Sequence, residues 1–118
     1  MKKTVVFFIA FVLIPGFSAA YAHPPSDIKI TFDGKTKTLQ AVIMHNTRDP
    51  INHYIKKVFV GSNGKEIIGH TLSREDNNES QTVSYLIPDV KDGEVLSVEG
   101  SCSISGKLEK EITVRLEK

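Results

Sequence analysis

The sequence predicts an all-β protein, an immunoglobulin-like antiparallel β-sandwich of about seven strands. Three observations lead there. Apolar residues beyond residue 22 recur with period two, the spacing of a strand with one buried face. Turn chemistry interrupts them at short intervals: Asp33-Gly34, Ser62-Asn63-Gly64 and Ser105-Gly106. No stretch after residue 22 carries the helical repeat of apolar positions.

The strands follow in order. Ile28, Ile30 and Phe32 alternate with Lys29 and Thr31 in the first. In the second, Leu39, Ala41, Ile43 and His45 share one face and Thr38, Gln40, Val42 and Met44 the other. Asn46 to Asn52, with Pro50, forms a loop, and a third strand rich in β-branched and aromatic residues runs from about His53 to Val60. The Asn63-Gly64 turn leads into a fourth strand near Lys65 to Ser73. Glu75 to Ser80 reads as a solvated polar loop. Val83, Tyr85 and Ile87 mark the fifth strand, and Leu96, Val98, Gly100, Cys102 and Ile104 one face of the sixth. Ile112, Val114 and Leu116 mark the last.

Residues 1–22 read as an address. Lys2 and Lys3 form a basic start, Val5 to Ile14 an apolar run, and Ala20-Tyr21-Ala22 a small-x-small cleavage site. The run is shorter than the roughly 20 residues that cross a bilayer. The expectation is a secretory signal cleaved after Ala22, export to a bacterial periplasm, and a single mature domain of residues 23–118 without a membrane segment. Removing Lys2 and Lys3 from the 15 basic residues leaves 13 against 14 acidic ones, and no Lys/Arg block exists. That balance excludes the electrostatic footprint of a nucleic-acid binder. A single cysteine excludes an intramolecular disulfide.

Four histidines and that cysteine are the residues with chemistry to offer. His45 ends the second strand on the inward parity of Leu39 and Ile43. His53 opens the third strand across the loop, so both belong to one rim. Cys102 lies late in the sixth strand on the inward parity of Leu96 and Val98, and His23 heads the mature chain. Imidazole nitrogen and thiolate suit iron, copper or zinc rather than calcium or magnesium. His70 has no partner in sequence and is left structural. Ser73, Ser97 and Ser101 lack a nucleophile-elbow context, and no phosphate-cradling glycine loop or His-Glu-x-x-His motif occurs. The acidic residues Glu75, Asp76 and Glu79 lack the alternation of a calcium loop.

The segment His45-Asn46-Thr47-Arg48-Asp49-Pro50-Ile51-Asn52-His53-Tyr54-Ile55 resembles the desulfoferrodoxin/superoxide reductase family, in which a His, a Pro-bearing loop and His-Tyr-Ile lead into a strand. Cys102-Ser103-Ile104-Ser105-Gly106 stands where that family has Cys-Asn-x-His-Gly. His23-Pro24-Pro25 stands where it has an N-terminal His closely followed by Pro.

The resemblance implies an immunoglobulin-like sandwich with one mononuclear non-haem ferrous iron, four equatorial histidines, an axial thiolate and a sixth position open to superoxide. Carried over by position, His23, His45 and His53 are equatorial metal ligands and Cys102 the axial one. The implied partners are a small oxygen species and an electron donor protein, and the implied activity is a superoxide reductase-like oxidoreductase. Ser105 occupies the fourth histidine position, and the family's acidic and Lys residues ahead of the first His are absent. Cleavage after Ala22 would free the His23 amine beside its imidazole, a donor pair that also suits copper. Two alternatives therefore stand beside the iron reading: a metal-holding module without turnover, and a sandwich that serves protein contact.

Overall fold

The computed structural model describes residues 23–116. The expected signal segment lies outside the described residues. Seven strands and no helix make up the described chain: β1 (Asp27–Asp33), β2 (Thr38–Met44), β3 (Ile55–Ser62), β4 (Lys65–Thr71), β5 (Ser80–Leu86), β6 (Val95–Cys102) and β7 (Lys107–Thr113). They form two sheets, β1-β2-β5 and β4-β3-β6-β7, with every pairing antiparallel. The expected all-β sandwich is therefore present.

Period-two burial builds the interior. Leu39, Ala41 and Ile43 of β2 face Val58 and Val60 of β3 and Leu96 and Val98 of β6, all without solvent exposure. Ile55, Val83, Ile87 and Val90 extend the same cluster. Two boundaries differ from the sequence reading. The third strand opens at Ile55 rather than His53, because Asn52 and His53 both donate backbone N–H groups to the Asp49 carbonyl and remain in a turn. The last strand begins at Lys107, because Lys107 to Thr113 pairs with Ser101 to Val95. Lys110 sits between Leu108 and Ile112 on this edge strand and hides the alternation.

The sheets approach closely under one rim. A Cβ on Gly100 would lie 3.1 Å from Ile43 Cγ2, so only glycine lets β6 pass β2 there without a shift. Two residues further along each strand stand Cys102 and His45. The first residue of β3, Ile55, pairs with Cys102. The rim thus collects the end of β2, the start of β3 and the end of β6.

Candidate metal centre

Three chain segments bring imidazoles to that rim. His45 follows β2 directly and is held by its backbone N–H, which donates to the Glu79 carbonyl at 2.9 Å. His53 returns to the rim through a turn organised by Asp49. The Asp49 carboxylate accepts from the backbone N–H groups of Ile51 and Asn52 and from the Asn52 side-chain amide. Those hydrogen bonds, led by the one from Asn52, hold the Asp49 carboxyl below its ordinary range. His23 arrives on the segment before β1. Its neighbour Pro24 lies against Gly106, where an added Cβ would stand 2.7 Å from the proline nitrogen. Gly106 has φ +94°, so the turn after Cys102 is shaped to receive this strap.

The rings converge. Centroids are 4.9 Å apart for His23 and His45, 5.2 Å for His23 and His53, and 4.9 Å for His45 and His53. One ligand nitrogen from each residue lies within 4.8 Å of the others. A metal–nitrogen bond of about 2.0–2.1 Å puts a ring centroid about 3.2 Å from the ion, so rings on opposite sides of it would stand about 6.4 Å apart. No pair here is that far apart. The spacing is that of a tripod, whereas three corners of an equatorial square would include one opposed pair.

The nitrogens are already sorted. His23 Nδ1 lies 3.1 Å from the Pro24 carbonyl, which only accepts, so this nitrogen is the donor. His45 Nδ1 lies 2.8 Å from Glu75 Oε1. His45 Nε2 and His53 Nε2 are both buried without a hydrogen-bond partner. Unpartnered buried ring nitrogens are costly, and an ordered water or a metal ion satisfies them. Burial pulls His45 down to about 4, with repulsion from His23 adding to it. Burial also lowers His53, followed by repulsion from His45 and His23. The His45 and His53 rings are therefore neutral at pH 7, the form that ligates.

Glu75 is the residue that sequence reasoning missed. It reads as part of a solvated polar loop, yet its side chain is fully buried. Burial pushes its carboxyl up to about 7. Its neighbours Asp76 and Glu79 are exposed as expected. Nothing in the run Arg74 to Ser80 separates Glu75 from them, because the distinction arises from contacts with His45, Pro50 and Ile55, all distant in sequence.

Neither a protein-family model nor a curated protein sequence matches the chain.

Cys102 is buried on the inner face of β6 at this same rim. The backbone N–H of Ile104 points at its Sγ at 3.4 Å, and Gly106 accepts from the Cys102 N–H at 2.9 Å. Ser103 and Tyr54 exchange two hydrogen bonds, tying this turn to the residue after His53. The sulfur stands outside the compact set formed by the three imidazoles. Ser105 is exposed. His70 lies apart, with Nδ1 at 2.7 Å from the Tyr85 hydroxyl. Burial raises that phenol to about 12, so it stays protonated.

Proposed function

We propose that the protein is an exported mononuclear metal-binding protein that holds its ion through His23, His45 and His53, with the Cys102 thiolate a further ligand only once its sulfur moves in toward the three imidazoles. The observation that carries this reading is the meeting of three imidazoles from separate chain segments, two of them with buried, unpartnered Nε2 atoms. Iron is the first metal of the proposal, on the resemblance to superoxide reductases in the His45–Ile55 and Cys102–Gly106 segments. Copper is the alternative, since imidazole nitrogen serves both.

Bound ferrous iron would supply one electron to superoxide, and two protons would complete hydrogen peroxide. An electron donor protein would then restore the ferrous state. The second reading is metal holding without turnover. It is favoured by the tripod spacing and by Ser105, an exposed hydroxyl where the family places a fourth imidazole.

Metal analysis of the purified protein tests both. About one equivalent of iron, with a visible thiolate-to-metal band that bleaches on reduction, supports the first. One equivalent of copper or zinc without superoxide turnover supports the second. A protein that stays metal-free after incubation with iron, copper and zinc refutes both and leaves a sandwich used for contact.

A further inference from the structure

Glu75 is bonded to the loop that joins His45 to His53, to the start of β3 and to the His45 ring. Its own N–H donates to the Pro50 carbonyl at 2.9 Å, in the middle of the loop joining His45 to His53. Its Oε1 accepts from the Ile55 N–H at 3.2 Å, at the first residue of β3. The same oxygen lies 2.8 Å from His45 Nδ1. An oxygen that already receives a backbone donor is placed to receive a second, so Nδ1 carries the proton and Nε2 is left bare. Nε2 is the buried, partnerless atom of that ring.

The other carboxyl oxygen argues for more than a structural staple. Glu75 Oε2 is buried without a partner. A buried carboxylate with half of its acceptors unmet is an expensive way to hold a loop, and an amide or apolar side chain would do so at less cost. The acid becomes favourable when a cation sits on the far nitrogen of the same imidazole. A carboxylate that accepts from the ring N–H fixes the tautomer, aims the ring and makes the ligating nitrogen more basic.

We infer that Glu75 is a positioning residue for a divalent metal ion, acting through His45, and that the loop between β4 and β5 is therefore part of the metal site. This rests on the reading of the three imidazoles as metal ligands. It adds that the centre is built from a carboxylate–imidazole pair and not from its ligands alone.

The test uses the metal-free protein and cobalt(II) as the probe. Imidazole ¹⁵N shifts at neutral pH read the tautomer of His45 directly. The wild type should show a protonated Nδ1 and a bare Nε2. Glu75→Ala should mix the two tautomers, weaken cobalt binding by about 10–100-fold and shift the cobalt absorption bands. Glu75→Gln keeps a carbonyl acceptor and the side-chain volume, and it serves if the alanine variant does not fold. It should preserve the tautomer and lie between the other two in affinity. Wild-type tautomer and cobalt affinity in both variants would overturn the role of Glu75 while the metal site stood. A wild type that binds neither cobalt nor zinc would overturn the metal site, and this inference with it.

Discussion

His45 shows how one ring can be divided between two tasks. Its Nδ1 faces Glu75 and its ring packs against those of His23 and His53, so a substitution there removes both a proposed ligand and the partner of a buried acid. His45→Ala and His53→Ala should each lower zinc affinity by at least tenfold in competition with a chromophoric chelator. His70→Ala should leave it unchanged, because His70 pairs with Tyr85 elsewhere. Glu75 also makes a pH signature. Its carboxyl is raised from 4.5 to about 7, so its contribution to the metal-free fold is full below pH 4.5 and is lost as pH rises through 7. His45 is depressed to about 4, and its contribution is full above pH 6.5 and is lost as pH falls through 4. Denaturant melts with chelator present should show the wild type losing up to about 3 kcal/mol relative to Glu75→Gln between pH 4.5 and 8. A difference that does not change with pH would mean that the acid is not buried as described.

At the scale of elements, the turns decide whether the ligands meet. Gly106 and Gly64 both have positive φ, +94° and +87°, so alanine strains either one. A Cβ at Gly64 meets nothing, while one at Gly106 collides with the Pro24 backbone. Gly64→Ala should cost about 1 kcal/mol of stability with metal affinity intact. Gly106→Ala should displace the strap that bears His23 and weaken metal binding beyond its effect on stability. Calorimetric melts beside metal titrations separate the two, and equal affinities in both variants would detach His23 from the site. The placement of His45 and Cys102 on inward parity was legible in the sequence, since alternation along β2 and β6 fixes which face is buried. The loop expected between His45 and His53 likewise placed them at one rim, although His53 lies in the turn before β3 and not at its start. The partner of His45 was not legible. Glu75 sits in a loop without periodicity, and its burial depends on the packing of β2 and β3 over it. The beginning of β7 was hidden for a related reason: an edge strand pairs through its backbone while lysine breaks its apolar pattern.

For the molecule as a whole, the interior supports the rim rather than reaching it. Leu39, Ile43, Leu96 and Val98 fill the space between the sheets, and Ile43 packs over Gly100 one step below His45 and Cys102. Leu96→Ala should destabilise the metal-free fold by about 2–5 kcal/mol in denaturant melts, with metal stoichiometry unchanged in the folded fraction. Metal should act on the whole sandwich, because it binds only where three distant segments are already assembled. Linkage then adds about 2.7 kcal/mol at a free concentration 100 times the dissociation constant. The most direct measurement is anomalous scattering from a crystal grown with iron or zinc, recorded on either side of that metal's absorption edge. The account predicts one strong peak enclosed by His23, His45 and His53, about 2.0–2.3 Å from each ligating nitrogen. Density confined to exposed carboxylates, with the space among the three rings empty, would contradict it.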